Sequence, residues 1–265
     1  MDREPTYLFG AGATKAGTSW LYRYLAEHPE CHLRTIKELH YFDTLEAGTQ
    51  ARWSRMLMRK RRGLLEEQRN ESRPAQRRAR RTRIRDLAAL QALVSQPAED
   101  LAPLRSYLAE GIGGRRLVAD ITPAYGLLPT DRLRSMQAIG RDVRWVYLMR
   151  DPVERLWSQV RMMADRRDSS DFGRTAFGLM RAELDRIQSG VADREDYRGA
   201  VSRLRAAVPE GRLLLMLQDE LMTQSGIERL CDFLGIAAVP ADFSRRVFQG
   251  RALPLAEDLR ARAAV

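Results

Sequence analysis

Five short β-prone runs divide the chain: Tyr7–Phe9, Cys31–Leu33, Arg116–Ile121, Val143–Met149 and Leu213–Leu217. Between them, apolar residues return at helical spacing. Trp20, Leu21, Tyr24 and Leu25 mark a helix from Thr18, ended by Pro29. Pro152 to about Arg166 marks another, residues 174–207 are helical, and a later helix closes at 233–236. Strands alternating with helices predict an α/β fold of three layers, a P-loop-like central parallel sheet flanked by helices. Residues 47–110 read as a helical insertion punctuated by Pro74, Pro97 and Pro103. The 265 residues fit one large domain, 1–265.

Composition narrows the class. No apolar run approaches the roughly 18 residues of a membrane span, and the N-terminus lacks a basic start followed by an apolar segment. The expected location is therefore cytoplasmic, in the compartment of synthesis. Cys31 and Cys231 form no metal-ligand or CxxC pattern, and His28, His32 and His40 lack metal spacing, so reduced, buried thiols and no metal are expected.

Charge is concentrated in one place. Of a net +10, residues 52–85 hold thirteen Arg and Lys60 against Glu66, Glu67 and Glu71, a local +11. The rest of the chain is near neutral. This segment reads either as a solvated helical arm or as a surface for an anionic partner, whether an acceptor, a nucleic acid or a membrane surface. Aromatic residues are nearly absent from it, which disfavours stacking on single-stranded nucleic acid.

The stretch Gly10–Ser19 reads as a glycine loop between strand and helix. Such a turn aims bare backbone N–H groups and a helix N-terminus at one point, a geometry suited to phosphate. Gly12, Gly17, Thr18 and Ser19 nearly match the nucleotide-binding P-loop, which requires Lys directly after the second glycine. Here Thr18 holds that position and Lys15 lies two residues before Gly17. Lysine occurs only at 15, 37 and 60, against 42 arginines. A compact ammonium in the loop reaches a small anionic centre where a guanidinium would be crowded.

Three further loops carry candidate chemistry. Thr35–Asp43, with Lys37, Glu38, His40, Tyr41 and Phe42, is too polar and too mixed in period for core. Thr122–Pro129 follows a strand, where open α/β sheets place ligands. Arg150 ends the fourth strand, Asp151 caps the next helix and Ser158 lies two turns into it. Arg150 with a hydroxyl donor suits a second phosphate, or pairs structurally with a carboxylate; the residues alone leave both open.

In this order the motifs resemble those of the sulfotransferases that use 3′-phosphoadenosine 5′-phosphosulfate (PAPS), especially heparan-sulfate-type and related bacterial members. Lys15-Ala16-Gly17-Thr18-Ser19 looks like the 5′-phosphosulfate loop, and Glu38-Leu39-His40-Tyr41-Phe42 resembles the acidic catalytic loop. Thr122-Pro123-Ala124-Tyr125 resembles the acceptor-side loop. Arg150 with Ser158 matches the 3′-phosphate motif, and Gly250-Arg251 is similar to a late donor-binding turn. The resemblance implies a PAPS-dependent enzyme needing no metal. Glu38 would be the base, oriented by His40, and Lys15 would stabilise the leaving phosphate. Ala16 to Ser19, Arg150, Ser158, Gly250 and Arg251 would hold the donor. Lys37, Tyr41, Phe42, Thr122, Pro123 and Tyr125 would face a hydroxyl or amine on a glycan, lipid or small molecule. The alternatives are a P-loop nucleotide kinase-like enzyme, and a nucleic-acid or membrane-surface binder acting through residues 52–85.

Overall fold

The apolar run at the start of the chain becomes β1 (Thr6–Gly12), the middle strand of a five-stranded parallel sheet. The sequence reading lets Gly10 and Gly12 break this strand, yet it continues through both. Neighbouring side chains occupy the space that a Cβ would need. A Cβ on Gly10 would lie 2.7 Å from Ile121 Cδ1, and one on Gly12 2.5 Å from Tyr147 Cε2.

On one side β1 pairs with β3 (Leu117–Asp120), which pairs with the short β2 (Cys31–His32); on the other, β4 (Val143–Met149) pairs with β5 (Leu213–Leu217). The structure, a computed structural model, describes residues 4–96, 100–167, 170–190, 196–244 and 250–263. All five described strands point the same way, so their carboxyl ends open on one edge. The segments that follow them carry Lys15, Glu38, Thr122, Arg150 and Gln218 respectively.

The helices are α1 (Thr18–Glu27), α2 (Tyr41–Glu46), α3 (Gln50–Arg69), α4 (Pro74–Val94), α5 (Leu101–Ala109) and α6 (Thr130–Ser135). After β4 come α7 (Pro152–Asp165), α8 (Phe172–Gln188), α9 (Tyr197–Ala207), α10 (Gln218–Leu221), α11 (Gln224–Leu234) and α12 (Glu257–Ala263). The stretch expected to be helical over 174–207 is two helices, α8 ending just before Gly190 at φ 75°.

The insertion is packed rather than loose. Trp53 and Leu57 of α3, and Leu87, Leu90, Leu93 and Val94 of α4, join the main core around the sheet. Its firmest tie is Asp86, buried on α4, which accepts from Arg34 Nη2 (2.8 Å), Thr35 N (2.9 Å) and Thr35 Oγ1 (2.7 Å). Arg34 in turn donates to Glu110 and lies 4.4 Å from the centre of the Tyr107 ring. A second cluster joins Val153, Leu156, Trp157 and Val160 of α7 to α8 and to Leu255 and Leu259 of the tail. Cys31 and Cys231 are buried free thiols.

Candidate active site

The glycine loop narrows to a point. Lys15 holds φ 69° and Gly17 φ 94°, and Gly17 precedes the first turn of α1. The Ala16 amide, expected to face a ligand, donates instead to Ala13 O at 3.1 Å and closes the turn. Gly17, Thr18 and Ser19 remain at the helix start, whose first amides have no intrahelical acceptor. Gln218 packs on the loop, its Cγ 3.3 Å from where a Gly17 Cβ would stand.

Around Lys15 the structure gathers cations. Its Nζ lies 3.9 Å from Met162 Sδ, and among the described residues no carboxylate comes within 4 Å of it. Burial lowers the Lys15 pKa first, and Arg161, Arg166, Arg150 and Lys37 lower it further. Four positive neighbours round a half-buried ammonium leave a field that a polyanion would relieve.

Helix α7 supplies much of that wall. Asp151 caps it as expected, accepting from Glu154 N at 2.8 Å. Glu154, Ser158 and Met162 follow at steps of four, so Ser158 sits between the residue that meets Arg150 (Nη2 to Glu154 Oε2, 3.5 Å) and the one that meets Lys15. The Arg150 amide donates to Tyr197 Oη at 3.3 Å. Arg161 Nη1 and Trp157 Nε1 hold the late turn by donating to Arg251 O (3.2 Å) and Leu253 O (2.9 Å). Gly250 and Arg251 thereby reach the same helix, although the Arg251 side chain is exposed and leans on Asp165 at 3.4 Å.

Opposite lies the acidic loop. Glu38 (φ 62°) and His40 (φ 53°) both adopt left-handed backbone. His40 Nδ1 meets Asp43 Oδ2 at 2.7 Å and its Nε2 stands 3.6 Å from Glu38 Oε2, while Lys37 Nζ pairs directly with Glu38 Oε1. Burial opposes the charge on each, but the partners win. His40 and Lys37 hold Glu38 down at about 2, and Asp43 and Glu38 push His40 up to about 9. At neutral pH Glu38 is therefore a carboxylate and His40 an imidazolium held between it and Asp43.

Asp120, at the end of β3, is the residue that sequence reasoning missed. It accepts from Thr122 Oγ1 and from Tyr125 Oη, both at 2.6 Å, and Tyr125 Oη accepts from Tyr41 N at 3.2 Å. One carboxylate thus braces the loop after β3 against the loop after β2. Burial lifts its pKa to about 6, against the lowering by Thr122 and Tyr125. Of the residues expected on the acceptor side, Tyr41, Phe42, Thr122, Pro123 and Tyr125 are buried. These side chains pack around the loop after β2, with Phe42 and Tyr125 edge to face at 5.7 Å; Lys37 alone of that group reaches the acidic row.

The insertion also reaches the site. Trp53 Nε1 donates to Leu39 O at 2.8 Å and its ring meets that of His40 edge-on at 4.9 Å. Lys60 Nζ lies 5.1 Å from the Trp53 ring centre, and its pKa is lowered by burial, then by Arg83. All three lysines of the chain, Lys15, Lys37 and Lys60, therefore border one region. The scarcity of lysine was a usable signal for Lys60; nothing in periodicity marked Trp53 or Asp86 as neighbours of this loop.

No curated protein sequence matches. A sulfotransferase from Alicyclobacillus acidocaldarius superposes with a TM-score of 0.57 at 22% identity, over 98% of this chain and 89% of its own. The sulfotransferase domain from the curacin biosynthetic pathway gives 0.49 at 19%, over 90% and 76%. The sulfotransferase domain of the Synechococcus PCC 7002 olefin synthase gives 0.49 at 16%, over 100% and 96%. At 22% identity the first of these likenesses speaks to the fold alone, whereas the model of the sulfotransferase family matches residues 5–240, nearly nine-tenths of the sequence. The chain belongs to the sulfotransferase family.

Proposed function

We propose that the protein transfers a sulfuryl group from PAPS to the hydroxyl or amine of an acceptor. The observation that carries this reading is that the glycine loop's Lys15 meets Met162 of α7 at 3.9 Å while Arg150 and Ser158 lie along the same helix, at the strand-end edge that also carries the Glu38–His40–Asp43 row. That donor set, cationic groups and helix-start amides, fits a nucleotide with several phosphate charges. Among the described residues no cluster of three metal-ligating side chains is present.

Gly17, Thr18 and Ser19 would hold the 5′-phosphate, and Arg150 with Ser158 the 3′-phosphate, with Gly250 and Arg251 closing over from the tail. When bound, PAPS supplies a sulfuryl group on a phosphate leaving oxygen. Lys15 keeps positive charge at the loop where that oxygen gains charge, a role worth roughly 10² to 10³ in rate for a single donor. Glu38, ionised at neutral pH, takes the acceptor proton. His40 is already protonated there, so its part is to orient Glu38 and to hold Asp43. An acceptor that displaces the Lys37 ammonium raises Glu38 toward the ordinary carboxylate range and strengthens it as a base.

Melting curves with adenosine 3′,5′-bisphosphate and with MgATP test the donor. The bisphosphate raises Tm, and Arg150→Ala weakens that shift. Stabilisation by MgATP alone would return the chain to the nucleotide kinase-like reading.

A further inference from the structure

The outer face of α3 has no role in the reading above. Arg55, Met58, Arg62, Leu65 and Arg69 follow one another in alternating steps of three and four, and all are exposed. Such steps place them in one stripe along the helix, about 21 Å from end to end at 1.5 Å per residue. The opposite face is the packed one, with Trp53 and Leu57 buried. Arg52 and Arg59 lie beside the stripe, and Arg77, Arg81 and Arg85 form a second exposed row along α4 at steps of four.

In water this arrangement is unfavourable twice over. Like charges three or four residues apart oppose the helix that carries them. Met58 and Leu65 are 50% and 43% exposed, and with Met56 they make three of the five large hydrophobic side chains exposed among the described residues. Few of the nearby carboxylates meet the row: Glu71 is buried on Arg73 and Arg80 and Glu67 pairs with Arg80 of α4 at 3.4 Å, leaving Glu66 on the exposed side.

We propose that this face of α3 docks on an anionic phospholipid bilayer. Arginine alternating with Met and Leu matches a headgroup layer, where guanidinium groups meet phosphates and apolar side chains meet the acyl boundary. A nucleic acid would use the charge but not the exposed Met and Leu. The insertion's aromatic side chains Trp53 and Tyr107 are buried and unavailable for stacking on bases. The face is the reverse of the one that meets His40, so docking leaves the catalytic loop uncovered.

Co-sedimentation of the full chain with vesicles of equimolar phosphatidylglycerol and phosphatidylcholine, against phosphatidylcholine alone, tests the surface. The expected result is binding to the anionic vesicles only, weakened by salt. Replacing Arg55, Arg62 and Arg69 together by Gln should lower the partition constant roughly 10²-fold, at about fivefold per basic residue. Met58→Ser with Leu65→Ser should lower it several-fold, and both variants should keep a single cooperative melt. Equal binding to neutral vesicles, no binding at low salt, or an unchanged triple variant would each overturn the proposal. So would displacement from vesicles by duplex DNA with the Met58 and Leu65 variant binding as the wild type does, which would assign the face to nucleic acid.

Discussion

Replacing Asp120 by Asn separates the buried carboxylate's charge from its shape. The group is 1% exposed and its pKa stands at about 6 instead of 3.8. The folded chain therefore binds this proton more tightly than the unfolded chain. Its contribution is full below about pH 3.8, falls as pH rises through about 6, and is constant above that. At 1.36 kcal/mol per pH unit, the difference amounts to about 3 kcal/mol of stability lost across the window. Groups held low, such as Glu38 and Asp142, pull the other way over part of the same range. Comparing wild type with Asp120→Asn cancels them, provided they do not couple to the site. Urea unfolding at a series of pH values from about 4 to 7 supplies the free energies. Over that range, which leaves out the ends of the window, the variant should lose about 2 kcal/mol less than the wild type. Parallel curves would refute the assignment of a strained, ionised carboxylate between Thr122 and Tyr125.

Two other substitutions probe the loop after β2. Glu38→Gln should reduce turnover by roughly 10² to 10⁴ while keeping the fold, and it should lower the His40 pKa from about 9, read by the imidazole proton shift in NMR; an unmoved titration would break the link between the two. Asp86→Ala leaves the buried Arg34 with Glu110 alone and strips Thr35 of its acceptor, and should cost about 1 to 3 kcal/mol in chemical unfolding. A loss below about 1 kcal/mol would mean that the insertion does not anchor this loop.

Much of the architecture was legible because burial leaves a mark on composition. Val143–Met149 and Leu213–Leu217 are apolar runs, and the structure returns both as strands with those bounds; only the first is largely buried, since Leu213–Leu217 lies at the sheet edge with Leu214 and Met216 buried and Leu217 exposed. The loops with chemistry were legible for a related reason: glycine, proline and charge interrupt apolar periodicity where backbone must turn at a strand end. Asp120 escaped because one acid inside Leu117–Ile121 looks like ordinary strand alternation. Its meaning lies in Tyr125 and Tyr41, which only the folded chain brings beneath it. The insertion escaped similarly. Arg34 and Asp86 are 52 residues apart, and their pairing depends on how two elements pack, a long-range fact that local pattern does not encode.

The two hydrophobic clusters give the donor region a mechanical character. Lys15 and the start of α1 rest on the core around the sheet, while Arg150 leads into α7, whose apolar face belongs to the smaller cluster with α8 and the tail. The two walls proposed to hold a nucleotide are thus founded on different packing units that meet at the end of β4. A ligand touching both walls acts as a crossbeam. It stabilises the seam by mass action, at RT ln(1 + [L]/Kd) for ligand concentration [L].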